Sequence, residues 1–81
     1  MSYLKSLSWA KFKGASKYNV YVEGELVAST TGSAVYINDL ITKKIATGDL
    51  FTSYQYSVFI EALNSKGIVI AEGGYSYRYL N

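Results

Sequence analysis

The side chains that most often carry out catalysis are absent from this chain or scattered along it. The 81 residues include no histidine and no cysteine, which removes the usual general base, nucleophile and zinc ligands. A glycosidase would need two carboxylates across a cleft, for which a chain of this length has little room. We therefore expect no enzymatic activity and no cofactor. The acidic residues that remain are Glu23, Glu25, Asp39, Asp49, Glu61 and Glu72.

Two short segments contain oxygen-bearing or glycine-rich motifs that could bind small ligands. Asn38 with Asp39, and Gly48 with Asp49, offer too few clustered oxygens for calcium, and turn formation explains both pairs. The adjacent glycines at positions 73 and 74 lack the lysine and helix of a phosphate loop. We expect no metal site, and we predict a β-bulge or bend at the glycine pair.

Charge and hydropathy exclude several classes of partner. The net charge is +2, and the basic residues are spread over the sequence, so no nucleic-acid footprint is expected. No apolar run approaches the roughly 20 residues that a membrane-spanning helix requires. The first residues show no long apolar stretch typical of a signal peptide. Without cysteine, there is no disulfide to indicate the compartment.

The strongest structural pattern covers residues 49–62. From Tyr54 onward, alternate residues are apolar or aromatic, which predicts a strand with one buried face at the middle of a sheet. Phe59 is the one large apolar residue at an outward position. The predicted inward residues are Tyr54, Tyr56, Val58, Ile60 and Ala62.

Other short alternating segments, separated by glycine-containing turns, predict an all-β chain. We expect a first strand at residues 3–12 with Leu7 and Trp9 inward, and a second at 17–23. Glu23 and Gly24 predict a tight hairpin turn, with a return strand at 25–30. Two further strands are expected at 34–38 and 41–47, or one bent strand across both. The last segments are 68–71 and 75–80.

Aromatic residues are the strongest candidates for a binding surface. Tyr21 and Phe59 have the outward parity of their strands, while Tyr75, Tyr77 and Tyr79 share one face of the last strand. If that face is outward, a stripe of rings crosses the sheet and could stack on sugars or bury against a protein. If it is inward, the three tyrosines belong to the core.

The order of these features resembles a fibronectin type III domain. The resemblance rests on residues 7–9 (LSW), 14–21 (GASKYNVY), 23–28 (EGELVA) and 50–67 (LFTSYQYSVFIEALNSKG). It implies a two-sheet, immunoglobulin-like antiparallel sandwich of about six or seven strands, formed as one domain by residues 1–81. It also implies that Tyr56 is a corner tyrosine, with its hydroxyl reaching the backbone upstream. Leu50 would be the packing partner of Tyr56.

Three departures from the family pattern accompany the resemblance. Thr52 and Ser53 stand where the family has proline and glycine, and residues 29–48 are longer than usual. Few residues precede Trp9, so we expect the family's first strand to be short, missing or supplied from elsewhere. Such a gap would leave a bare sheet edge that invites strand addition. The expected core is Leu7, Trp9, Tyr18, Val20, Val22, Leu50, Tyr56, Val58, Ile60 and Ala62.

The resemblance implies a non-catalytic interaction or spacer module of a larger secreted or cell-surface bacterial protein, such as a carbohydrate-active enzyme. Its partners would be neighbouring domains or another protein, bound in part by edge-strand pairing. One alternative is a carbohydrate-binding module that uses an exposed aromatic face on a polysaccharide. A second alternative is an oligomerising domain completed by a strand from a partner chain.

Overall fold

The computed structural model describes residues 6–48 and 55–78. In chain order the elements are β1 (Leu7–Ser8), β2 (Lys17–Val22), β3 (Glu25–Thr30), β4 (Ala34–Val35), α1 (Ile37–Ala46), β5 (Gln55–Leu63) and β6 (Val69–Arg78). Four strands form an antiparallel sheet in the order β3–β2–β5–β6, and β1 pairs with β4 in a second, two-stranded sheet. This arrangement confirms the predicted small all-β sandwich, to which the structure adds one helix.

Alternation along β2 and β5 creates the buried side of the four-stranded sheet. The two strands are in register, with Val20 opposite Ile60 and Val22 opposite Val58. Because the period is two, the residues between them face the other way. We call the buried side the inner face; it is formed by Tyr18, Val20, Val22, Tyr56, Val58, Ile60 and Ala62.

The helix α1 closes the core over the inner face, where the sequence pattern predicted strands. Ile37 and Ile41 are fully buried in the same cluster as the sheet residues. Each such side chain contributes roughly 1.5–3 kcal/mol on burial. The prediction of two strands at 34–38 and 41–47, or of one bent strand across both, was therefore wrong. Within this segment only Ala34–Val35 forms a strand. The cause is that isoleucines four residues apart satisfy both the period of a strand and that of a helix.

Polar contacts hold α1 across the sheet. In its first turn, Asn38 Oδ1 accepts a hydrogen bond from the Tyr77 hydroxyl of β6 at 3.3 Å. In its last turn, the Lys44 ammonium pairs with Glu25 of β3 at 3.2 Å. The helix thus spans the sheet from one edge strand to the other.

Two further predictions on strand limits were wrong. The first strand, expected at residues 3–12, is Leu7–Ser8 within the described residues, because it has only the two residues of β4 to pair with. The glycine pair forms no bulge: Gly73 and Gly74 pair with Ile60 and Phe59 inside a continuous β6. The register shift lies instead beside Ala62 and Leu63.

The hairpin between β2 and β3 has the tight turn predicted from Glu23 and Gly24. Both residues have positive φ, at 51° and 83°, as a two-residue hairpin turn requires. Glu23 tolerates this conformation because neighbouring β5 holds it. Its N–H donates to Ser57 O at 2.9 Å, and its carboxylate accepts the Ser57 N–H at 2.6 Å.

Candidate functional site

The five aromatic residues singled out in the sequence lie on two different sides of the sheet. Tyr21 and Phe59 are opposite each other on the side away from the core. Tyr75 and Tyr77 pair with Val58 and Tyr56 and therefore lie on the inner face. Tyr79 lies outside the described residues. A single stripe of aromatic rings across the sheet is not formed by the residues the structure describes.

The outward-facing rings belong to a shorter apolar row that crosses three strands. Leu26 of β3 is opposite Tyr21, and Tyr21 is opposite Phe59. Next in the row comes Gly74 of β6, whose missing side chain leaves the Phe59 ring uncovered on that side. We call Leu26, Tyr21 and Phe59 the outer stripe. Leu26 is 48% exposed and Phe59 is 37% exposed.

The two rings of the outer stripe are close but not coplanar. Their centroids are 6.2 Å apart and their planes are inclined by 55°, a spacing and tilt within the usual range for attractive aromatic pairs. The pair therefore presents an angular apolar surface to solvent rather than a flat platform of parallel rings.

A hydrogen bond fixes Tyr21 in this pair. Its hydroxyl donates to Glu61 Oε1 at 2.8 Å. The hydrogen bond to Glu61 raises the pKa of Tyr21 above its ordinary value of 10.0, and partial desolvation and the negative charge of Glu61 act in the same direction. The neutral phenol is the form that this site favours, since only the protonated hydroxyl can donate to the carboxylate.

Two carboxylates stand side by side along the outer stripe. Glu61 on β5 is directly opposite Glu72 on β6, one row from the Phe59–Gly74 pair. Neither carboxylate forms an ion pair within residues 6–48 and 55–78. Like charges directly opposite each other destabilise a sheet, and here the two carboxylates lie beside the aromatic rings of the outer stripe. We call the outer stripe together with Glu61 and Glu72 the outer surface.

The residues expected in the core occupy two environments. Tyr18, Val20, Val22, Tyr56, Val58, Ile60 and Ala62 are buried, while Leu7 and Trp9 are half-buried and pack against that cluster. The Trp9 and Tyr18 rings meet edge to face with centroids 5.4 Å apart. Leu50 lies outside the described residues, as does the segment that the Tyr56 hydroxyl was expected to contact.

A cleft of about 190 Å³ opens beside Trp9, on the inner side of β6. Its aromatic walls are Trp9, Phe12, Tyr18 and Tyr75, and small residues of β5 and β6 form its floor. The indole N–H of Trp9 is buried and has no hydrogen-bond partner among residues 6–48 and 55–78. Sequence patterns did not indicate Phe12, and they marked Gly73 only as part of a predicted bulge or bend, because the cleft depends on how the segment after β1 lies against β6.

The short sites considered from the sequence lie at the ends of α1. Asn38 and Asp39 are in its first turn, and Gly48, with φ of +83°, follows its last turn. No group of three potential metal-ligating side chains is found in the described parts of the chain. Over the same residues, no helix has the length and apolar character needed to cross a membrane.

Comparison of the chain with protein-family models, with curated proteins and with solved structures finds no match.

Proposed function

We propose that this protein is a non-catalytic interaction module that binds a protein partner through the outer surface. The partner is a neighbouring domain or another chain, and the module belongs to a larger secreted or cell-surface protein. The fibronectin type III resemblance supports the second part of the proposal. The pairing of β2 with β5 and of β5 with β6 is the strand order that the resemblance implies for that sheet.

The observation that carries the proposal is the Glu61–Glu72 pair beside the half-buried Tyr21 ring and the exposed Phe59 ring. An apolar row alone would be ordinary, since single exposed hydrophobic residues are common. Two opposed carboxylates that form no ion pair among the described residues cost stability, and a partner that contributes a cation would remove that cost. A partner with a lysine or arginine next to an aromatic or aliphatic side chain would complement this surface, because a cation is attracted by both ring faces and carboxylates.

Polysaccharide binding remains the second candidate from the sequence, and the geometry favours it less. The rings of Tyr21 and Phe59 are inclined by 55° and do not form a flat platform on which successive sugar rings could stack. The carboxylates would also face a neutral chain without a charge to balance them.

Small charged probes test the proposal without knowledge of the natural partner. We expect the peptide Lys-Trp-Lys to shift the backbone amide NMR signals of Tyr21, Phe59 and Glu61, and to bind about two- to fivefold more tightly than Glu-Trp-Glu. The preference should disappear in a variant that carries Glu61→Gln and Glu72→Gln. Equal affinity for both peptides, or shifts confined to other parts of the chain, would refute the proposal.

An insoluble polysaccharide pull-down separates the second candidate from the first. Retention of the wild-type protein on cellulose or xylan, lost in Phe59→Ala and Tyr21→Ala, would favour the sugar ligand. Phe12→Ala is the matched control, because it removes an exposed ring from the opposite side of the sheet.

A further inference from the structure

The edge strand β6 lies next to the cleft described above, and the two features share residues. Within the part of the chain that the structure describes, β6 pairs with β5 on one side only. Residues 70–76 contain no proline and no lysine, which are the usual means of blocking an edge. Four of them, Ala71, Glu72, Gly73 and Tyr75, line the cleft.

The cleft is built from small residues below and aromatic residues above. Ala62, Ala71 and Gly73 leave space on the inner face of β5 and β6, and the rings of Trp9, Phe12 and Tyr75 surround it. Its volume of about 190 Å³ is below the roughly 300–1,000 Å³ of pockets for drug-sized ligands. The cleft therefore suits a single large side chain.

Phe12 is held in place although its ring is exposed. Its N–H donates to the Tyr18 hydroxyl at 2.8 Å, and its carbonyl accepts the Ala15 N–H at 3.0 Å. The same turn lies against β6, since a Cβ placed on Gly14 would be 3.6 Å from Ile70 Cδ1. The Phe12 ring nevertheless remains 48% exposed. An ordered backbone that presents an exposed ring reduces the entropy lost when a partner binds.

The charges beside Phe12 indicate what the occupant carries. Lys11 and Lys13 flank Phe12, are exposed, and form no ion pair among the described residues. Glu72 also lines the cleft, but strand alternation directs its side chain, like that of Glu61 opposite it, to the other side of the sheet.

We propose that β6 and the Phe12 turn form a second binding site, which takes an extended peptide strand from an acidic protein partner. The peptide adds to the edge of β6 at residues 70–76, and one large apolar side chain enters the cleft. Main-chain hydrogen bonds then supply affinity and the cleft supplies specificity, as in other cases of strand addition. Carboxylates of the peptide lie near Lys11 and Lys13. This site and the outer surface lie on opposite sides of the sheet and share one residue, Glu72.

Selection from a phage-displayed library of random twelve-residue peptides tests the proposal with the intact 81-residue protein. We expect enriched peptides to combine an aromatic or large aliphatic residue with acidic residues. Synthetic versions should lose about tenfold or more in affinity to Phe12→Ala and to Gly73→Val. Affinity for Phe59→Ala, on the outer surface, should stay within about twofold of wild type.

The Gly73→Val variant fills the cleft without disrupting the strand. A Cβ at this position would lie 3.8 Å from the nearest Tyr75 ring atom, an ordinary contact, and valine is favourable in strands. Its urea midpoint should match or exceed that of wild type, so lost binding would not reflect unfolding.

Backbone pairing is tested separately by N-methylation of a selected peptide. Methyl groups on alternate amides should abolish binding for the set that faces β6 and leave it intact for the other set. Four results would overturn the proposal: no enriched peptide, equal binding to the Phe12 and Gly73 variants, tolerance of both methylation patterns, or displacement by a soluble β-glucan. Wild-type dimers in sedimentation that dissociate in Gly73→Val would also overturn it, in favour of self-association.

Discussion

Replacing Glu72 by lysine should make the fold more stable while weakening the proposed partner binding at the outer surface. Glu72 stands directly opposite Glu61 in the β5–β6 pairing. Directly opposed residues have Cβ atoms roughly 4.5–5.5 Å apart, and cross-strand charge pairs contribute about 0.2–1 kcal/mol. The substitution removes a repulsion and adds an attraction of similar size.

Coulomb's law gives the expected magnitude. Two charges about 6 Å apart in a water-like dielectric interact by roughly 0.7 kcal/mol, and at 0.15 M salt, where the Debye length is about 8 Å, screening reduces this to about half. Summing the lost repulsion and the gained attraction predicts roughly 0.7 kcal/mol of added stability in 0.15 M salt and about 1.4 kcal/mol as the upper limit at low salt. For a domain of this size, the gain at 0.15 M salt corresponds to about 3–5 °C in Tm.

Urea unfolding at pH 7, followed by Trp9 fluorescence at low and at 0.15 M salt, measures the effect. Glu72→Gln is the matched control, since it removes only the repulsion and should give about half of the lysine gain. A lysine variant no more stable than wild type at low salt would contradict the assigned pairing. A gain that does not change with salt would show that its origin is not electrostatic.

Three other substitutions test separate parts of the structure. Ile41→Ala should cost about 2–5 kcal/mol in urea unfolding, because Ile41 is fully buried in α1; a loss below about 1 kcal/mol would contradict the packing of the helix. Glu61→Gln should lower the pKa of Tyr21 towards 10.0 in a ¹³C-tyrosine NMR titration, and an unchanged pKa would refute the hydrogen bond. Because the pKa of Tyr21 is raised in the folded protein, this hydrogen bond stabilises the fold below about pH 10. The stabilisation is lost as pH rises through the folded-state pKa. Gly24→Ala should cost about 1–2 kcal/mol, because φ is +83° there; a neutral result in thermal unfolding would argue against the turn geometry.

The central strands could be predicted because burial on one face produces an unambiguous alternation. In β5, every second residue from Tyr56 to Ala62 is buried and Phe59 points outward. The β2–β3 hairpin was equally clear, since Gly24 at the turn needs the positive φ that glycine adopts at low cost. In both cases local chemistry and tertiary packing favour the same conformation.

The helix could not be recognised from apolar spacing alone. Ile37, Ile41 and Ile45 recur every four residues, which matches two periods of a strand and nearly one turn of a helix. Signals that distinguish the two were present at the ends of the segment. Asp39 lies in the first turn and Lys43 and Lys44 in the last, the charge order that the helix dipole favours, and Gly48 follows.

Only part of the outer surface could be predicted from the sequence. Alternation placed Tyr21 and Phe59 on the outward side, but it could not place Glu72 opposite Glu61. That pairing depends on the register of β5 and β6, which shifts beside Ala62 and Leu63. A one-residue slip would have moved Glu72 to the inner face, so the acidic pair becomes evident only with the strand pairing.

The two faces of β5 separate the residues that stabilise the fold from those of the proposed binding surface. Val58 and Ile60 are buried beneath α1 and the second sheet, so truncating either should cost several kcal/mol and affect binding only through unfolding. Phe59 lies between Val58 and Ile60 in the strand, and Glu61 follows Ile60. Burial of these two outward side chains contributes little to the free energy of unfolding, so their substitution should change stability by a small amount. A surface that contributes little to folding can vary to suit a partner at low cost. If the outer surface binds a partner, substitutions along β5 should alternate in effect: those at outward residues lower affinity, and those at inward residues lower stability. If substitutions at Phe59 and Val58 both lower affinity and stability to the same extent, β5 has only a structural role.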